Sequence, residues 1–303
     1  RDRSPSRGLG DVYKRQINMS MEIKRFSPTV GAEIRGVDLS RGLTGEEFKE
    51  IHKAFLDHQV LFFREQKEIP PEVHVEIGKR FGNLHFHPAA PQMEGHPEIF
   101  VIHTHRDSKI ANGEFWHSDV SCDEEPPLGT MLQLHLLPSV GGDTLFSNMY
   151  QAYEEISETF QKFCDGLSAL HESEHVYRGR YSDRGVDDVG KVYPSSVHPV
   201  VRTHPETGRK ALYVNRAFTT RIQELSEDES RAVLDLLLDH CEQLSFQTRF
   251  RWQKNDVVLW DNRCVQHHAL WDYWPEERKG RRVTIAGDRP YCCLLYTSDA
   301  ADE

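Results

Sequence analysis

No stretch of this 303-residue chain approaches the roughly 20 consecutive apolar residues that a membrane-spanning helix requires. An apolar signal-peptide segment is missing as well, so the expected location is cytoplasmic and no membrane partner is expected. Positive charge is in deficit: 37 Lys and Arg face 48 Asp and Glu, a formal net charge of −11. That balance argues against nucleic acid or an anionic membrane surface as the main partner. Cysteine is sparse. Cys122, Cys164, Cys241, Cys264, Cys292 and Cys293 show no CxxC spacing, which predicts reduced, mostly buried thiols. Internal repeats and low-complexity linkers are missing too. With 38% hydrophobic residues the chain can bury a substantial core, and one domain is expected.

The two ends differ in character from what they flank. RDRSPSRGLGDVYKRQ (1–16) and CLLYTSDAADE (293–303) carry no apolar periodicity and resemble translated adapter sequence. The expected native stretch is 19–291, a single domain starting at Met19 or Met21. The charges of the two ends cancel, so the acidic balance survives without them.

Short elements follow one another inside these limits. Thr44-Gly45-Glu46-Glu47 reads as a capping box ahead of an amphipathic helix with Phe48, Ile51, Phe55 and Leu56. Val60-Leu61-Phe62-Phe63 predicts a strand. Pro70-Pro71 predicts a helix start that Gly82 closes. From about residue 98 the runs EIFVIHT, TMLQLHLLP and GGDTLFSN predict strands, interrupted by one helix over 148–166. HPVVRTHPETGRKALYVN predicts a hairpin turning at PETG. Ser226 to Glu229 caps a further helix, after which FQTRFRW, VVLW and RRVTIAG predict strands. The expected class is mainly β with flanking helices, a β-sandwich or jelly roll.

Histidine, by contrast, is abundant, at 17 residues. In FWHSDV, His117 and Asp119 stand two apart, so in an extended backbone both side chains project to one face. A strand at 256–261 leads into Cys264-Val265-Gln266-His267-His268, where a histidine can point into the mouth of a barrel. His117, Asp119 and His267 together would supply two imidazoles and one carboxylate, a facial set suited to non-haem Fe(II) with open positions. Alternatively, His267 or His268 satisfies a turn or core hydrogen bond. Arg278 and Arg282 share a face if extended, while Arg281 points away. Guanidinium forks suit anionic groups, although Glu276, Glu277 and Lys279 also fit a solvated charged turn.

WHSDV, PPLGTMLQLHLLPSVGGDTLF, HPVVRTHPETGRKALYVNRAFTTRI, WDNRCVQHHA and RRVTIAGDRP, in this order across 22–290, resemble the taurine dioxygenase family. The resemblance implies a double-stranded β-helix (jelly-roll, cupin-like) core and an enzyme using Fe(II), 2-oxoglutarate and O₂. It implies His117, Asp119 and His267 as iron ligands, and Arg278 with Thr144 as the 2-oxoglutarate carboxylate site. It further implies Arg282, His87 and Phe218 as substrate-binding residues. Such enzymes hydroxylate a small organic anion while 2-oxoglutarate becomes succinate and CO₂; sulfonates then break down to aldehyde and sulfite. A carboxylate at position 119 favours hydroxylation over halogenation, which would need a small residue there. A homo-oligomer, dimer or tetramer, is the family expectation.

The match departs from the family at the substrate end. Ala90 and Ser173 stand where aromatic rings are expected, and Gly113, or Asn112 with a one-residue shift, where an asparagine is. The expectation is an enlarged pocket for taurine, a longer alkyl- or arylsulfonate, a sulfate ester, or a carboxylate such as a phenoxyacetate. Two other classes compete: a β-helix protein that binds metal and anion without oxidation, and a zinc hydrolase. The hydrolase would leave Thr144 and Arg278 unexplained.

Overall fold

A computed structural model describes residues 21–87, 92–182 and 185–293. Ala90, Met19 and almost all of both foreign-looking ends lie outside the described residues. The strands in chain order are β1 (Glu22–Arg25), β2 (Ala32–Arg35), β3 (Val60–Phe63), β4 (Gln92–Met93) and β5 (His96–Thr104). Next come β6 (Gly129–Leu136), β7 (Thr144–Asn148), β8 (Ser168–Glu172), β9 (Ser195–Pro199), β10 (Val201–Thr203) and β11 (Lys210–Leu212). The last five are β12 (Thr219–Ile222), β13 (Gln247–Phe250), β14 (Val257–Asp261), β15 (Val265–Ala269) and β16 (Arg278–Ile285). The helices are α1 (Gly45–His58), α2 (Pro71–Phe81), α3 (Met149–Glu154), α4 (Glu158–Asp165), α5 (Glu174–Tyr177) and α6 (Glu227–Cys241).

The architecture is mainly β, as expected. An eight-stranded sheet runs β1-β2-β3-β14-β6-β16-β5-β4, and a three-stranded sheet runs β13-β7-β15. The run Val60-Leu61-Phe62-Phe63 is apolar without alternation because β3 is buried on both faces. Successive side chains of a strand point to opposite sides. Leu61 and Phe63 therefore join Val257, Leu259 and Met131 under α1 and α2, where Ile51, Phe55 and Ile77 are buried. Val60 and Phe62 join Leu132, Leu134, Val258 and Trp260 on the other side, against Phe146, Phe250 and Val265 of the small sheet. Phe62 and Phe250 stack across that gap with centroids 4.3 Å apart. The two sheets thus enclose one core, and the candidate site opens at its end.

Local sequence rules explain most boundaries. Thr44 accepts from the Glu47 N–H and Glu47 reaches back to the Thr44 N–H, closing the predicted box. Gly82 ends α2, and β10 pairs with β11 as the predicted hairpin. The predicted single helix over 148–166 is two helices instead. Ser157 caps the N–H of Phe160 and restarts the chain as α4. Leu136 departs from the inward row of Leu132 and Leu134 and is exposed. All six cysteines are free thiols, four of them buried. Among the described residues no helix is long and apolar enough to cross a membrane.

Candidate metal and anion site

His117 and His267 meet through an isolated antiparallel bridge. The His117 N–H donates to the His267 carbonyl at 3.1 Å, and the His267 N–H to the His117 carbonyl at 2.9 Å. This one bridge, not a continuous strand, holds the FWHSDV segment; the chain turns immediately after it, with Val120 at φ 48°. The ring centroids lie 4.1 Å apart. His117 Nε2 is 3.7 Å from Asp119 Oδ1. One ligand atom from each of His117, Asp119 and His267 falls within 4.8 Å of the others.

The ring nitrogens are set for ligation. His117 Nδ1 lies 2.7 Å from the Phe115 carbonyl, which can only accept, so Nδ1 carries the proton and Nε2 presents a lone pair. Burial pushes both imidazoles below the ordinary range and keeps them neutral, with His117 adding to the effect on His267. Burial alone would raise the Asp119 pKa. Arg282 foremost, with the Thr130 hydroxyl, instead holds it well below the usual carboxylate range. Arg282 Nη1 donates to Asp119 Oδ1 at 2.7 Å, and the Thr130 hydroxyl donates to Oδ2 at 2.7 Å. Two neutral imidazoles and a fixed carboxylate form a donor set that suits a divalent transition metal.

Arg278 is buried at the start of β16, and its Nη2 donates to Thr144 Oγ1 at 3.4 Å. Burial pulls its pKa down from the ordinary arginine value, opposed by Tyr273 and Asp143. Asp143 itself is engaged by Arg249 at 2.7 Å. Among the described residues no carboxylate forms an ion pair with Arg278. Trp252 Nε1 also donates to Thr144 Oγ1, at 3.0 Å. Both lone pairs of that hydroxyl are therefore occupied, and its proton has no acceptor among the described residues. A buried cation without an acid, beside a hydroxyl with a proton to give, is a receptor for a carboxylate.

One cavity of about 810 Å³, its open mouth included, takes in His87, His117, Asp119, Thr144, Phe218, His267, Arg278 and Arg282. All eight sequence-predicted residues are thus brought together. His87 is pushed down to about 3 by burial and then by Arg282, so it is neutral. Alternation along β15 and β16 settles which neighbours face away. His268 packs edge-on against Trp116, and Arg281 bonds His135 and Glu68. Trp116 is buried away from the cavity, whereas Phe115 lines it.

Ser173 does not line the cavity, because its hydroxyl donates to the Pro194 carbonyl at 2.7 Å. Tyr177, one helical turn later, fills that wall together with Tyr181. Tyrosine rings thus line the cavity although Ser173 does not reach it. Sequence reasoning also missed Thr130, Asn262 and Trp252, whose hydrogen bonds fix Asp119 and Thr144. Asn262 lies inside the quoted WDNR run, but nothing in its spacing marks it.

His204, Asp261 and Cys264 form a second buried cluster. There the Arg263 guanidinium already bonds both Asp261 oxygens, at 2.8 and 2.7 Å, so the carboxylate is satisfied without a metal.

The profile of the family described as "Taurine catabolism dioxygenase TauD, TfdA family" matches residues 22–284. An alkylsulfatase of Acinetobacter baylyi is 34% identical over 275 residues, covering 88% of this chain and 86% of that protein. An alpha-ketoglutarate-dependent (2-oxoglutarate-dependent) sulfate ester dioxygenase of Pseudomonas putida is 34% identical over 279 residues, covering 90% and 91%. The crystal structure of a taurine dioxygenase from Burkholderia xenovorans superposes with a TM-score of 0.78 at 34% identity, covering 90% of this chain and 93% of that one. With a divalent-metal donor set, a carboxylate receptor and a match over nearly the whole described chain, this protein belongs to the TauD/TfdA dioxygenase family.

Proposed function

We propose that this chain is an Fe(II)- and 2-oxoglutarate-dependent dioxygenase that hydroxylates a small organic anion, with sulfate esters and alkylsulfonates as the leading substrate class. The single observation that carries the reading is the buried, acid-free Arg278 with Thr144, lining the same cavity as His117, Asp119 and His267. A zinc hydrolase would have no use for that receptor.

His117, Asp119 and His267 hold the iron, and Arg278 with Thr144 holds the distal carboxylate of 2-oxoglutarate. Bound iron supplies O₂ activation at the expense of 2-oxoglutarate, which leaves as succinate and CO₂. This chain's residues then decide what is oxidised. Arg282 has a buried Nε with no partner among the described residues, which offers a donor to the substrate's anionic head. Neutral His87 can donate to or accept from the same head, and Phe218, Tyr177, Phe100 and Leu132 give the substrate's carbon skeleton an apolar wall that keeps water away. For a sulfonate, hydroxylation beside sulfur gives aldehyde and sulfite.

The facing sheets suit a double-stranded β-helix (jelly-roll) core, forming one domain over 19–291. Cytoplasmic location and assembly into a homo-oligomer complete the proposal. The test is a panel of taurine, longer alkylsulfonates, sulfate esters and phenoxyacetates, read by succinate formation. Turnover of sulfate esters or longer sulfonates is expected. If none of the panel raises succinate above the substrate-free rate in iron-loaded protein, the reading is wrong.

A further inference from the structure

The bonds around Asp119 run in one direction. Trp260 Nε1–H donates to Asn262 Oδ1 at 3.0 Å, and the Asp119 backbone N–H donates to the same oxygen at 3.2 Å. Two donors on one oxygen fix which way the amide points. Asn262 Nδ2 then faces Thr130 Oγ1 at 3.3 Å and must donate to it. With a lone pair engaged, the Thr130 hydroxyl gives its proton to Asp119 Oδ2, at 2.7 Å. The Asn262 amide also approaches Oδ2 at 3.5 Å. Asp119, Thr130, Trp260 and Asn262 are all at most 2% exposed, so no water competes for these groups. The other oxygen, Oδ1, lies 3.7 Å from His117 Nε2 and accepts from Arg282 Nη1 at 2.7 Å, which occupies one lone pair and leaves the second for a metal, whereas Oδ2 faces two donors.

We infer that Thr130, oriented by Asn262, is a positioning residue that reserves Asp119 Oδ2 for the protein, so that only Oδ1 ligates the metal. The inference rests on the proposed metal centre. A carboxylate that swung to ligate through both oxygens would fill one of the positions that 2-oxoglutarate and O₂ need. Removing the Thr130 donor lifts the restraint: Oδ2 loses its strongest hydrogen bond and can turn to the metal instead. The short hydrogen bond thus protects an open coordination position.

The test uses the protein loaded with Co(II), whose visible absorption weakens as coordination number rises, together with Mn(II) affinity by electron paramagnetic resonance. Thr130→Val keeps the shape and removes the donor; Thr130→Ser keeps the donor. In Thr130→Val the Co(II) bands should lose intensity and Mn(II) affinity should change by about 10-fold or more, in the range typical of outer-shell partners. The KM for 2-oxoglutarate should rise as well. Thr130→Ser should restore the wild-type spectrum. If Thr130→Val fails to fold, Thr130→Ala is read in the same way. A wild-type spectrum in the folded donorless variant, or a Thr130→Ser spectrum as altered as that of Thr130→Val, overturns the inference. Failure of wild-type protein to bind Co(II) at all would overturn the metal centre itself, a separate outcome.

Discussion

His117 and His267 lie 150 positions apart in the chain, yet each donates its backbone N–H to the other's carbonyl, at 3.1 and 2.9 Å. The bridge fixes their backbones before any metal arrives, so the ligand pair is preorganised and little ordering cost falls on binding. Changing either ring to alanine keeps these backbone bonds and removes only the donor nitrogen. His117→Ala and His267→Ala should therefore stay folded and lose metal affinity by more than the roughly 10–100-fold that outer-shell changes cost. The readout is the visible band formed on anaerobic addition of Fe(II) and 2-oxoglutarate. His268→Ala, whose ring packs on Trp116, should keep the band.

Arg278 tests the carboxylate receptor separately from the metal. Truncating one partner of a buried charge pair costs about 2–5 kcal/mol, or roughly 30- to several-thousand-fold. Arg278→Ala should raise the KM for 2-oxoglutarate within that range and leave Mn(II) binding close to wild type. Arg278→Lys should recover only part, because an ammonium cannot present the fork. Thr144→Val should cost about 10-fold, one hydrogen bond to a charged group. An unchanged KM in Arg278→Ala would refute the receptor.

Arg282 sits between two duties, since its Nη1 holds Asp119 Oδ1 while its Nε has no partner among the described residues. Arg282→Ala should raise the KM for an anionic substrate by at least about 30-fold, by the same reasoning on buried pairs. It should leave substrate-independent decarboxylation of 2-oxoglutarate measurable. The two rates, succinate formed and substrate consumed, then diverge. If they stay coupled and KM is unchanged, Arg282 does not bind the substrate.

What the sequence made legible follows from chain-local rules. The Thr44 box, the Ser226 box, the Gly82 stop and the VLFF strand depend on neighbours a few residues away, and each is where expected. The convergence of His117, Asp119 and His267 was legible because i, i+2 spacing and strand alternation constrain direction even before the partners are known. The split at Ser157 was missed because helical spacing of Tyr153, Ile156, Phe160 and Phe163 continues across it. Thr130, Asn262 and Trp252 were missed for another reason. Their roles exist only once β6, the turn after β14 and the segment after β13 are brought beside residues 11, 143 and 108 positions away in the chain. Ser173 lies just before α5 and does not line the cavity, whereas Tyr177, one turn on, does.

Gly113 stands close against a ligand ring, while Asn112, the alternative one residue earlier for the asparagine that the family resemblance expects, lines the cavity. The φ of Gly113 is +81°, and a Cβ there would come within 3.2 Å of His117 Cε1 and 3.5 Å of the Ala269 Cβ. Gly113→Ala should cost about 1–2 kcal/mol from the left-handed backbone alone, and should also press on the ligand ring. The expected outcome is a lower denaturation midpoint together with weaker Mn(II) binding. Loss of stability with wild-type metal affinity would show that the close approach to His117 is relaxed elsewhere.

His74 contributes to the acid sensitivity of the fold. It is 1% exposed on α2, its Nε2 lies 3.1 Å from the Met131 carbonyl of β6, and burial pushes it down to about 4. Its ordinary value is about 6.5. Between those two values the unfolded chain binds a proton that the folded protein refuses, so stability rises with pH across the window. The contribution is fully present above about 6.5, is lost as pH falls, and levels off near 4. Two and a half pH units at about 1.4 kcal/mol each put the loss on the order of 3 kcal/mol. Urea unfolding of the metal-free protein at pH 7 and pH 5 reads the slope. His74→Gln, which can still donate to the Met131 carbonyl but does not titrate, should unfold with a shallower pH dependence. An identical slope in the variant would assign the acid sensitivity to the other buried histidines, among them His87 and His171, both pushed down to about 3 by burial.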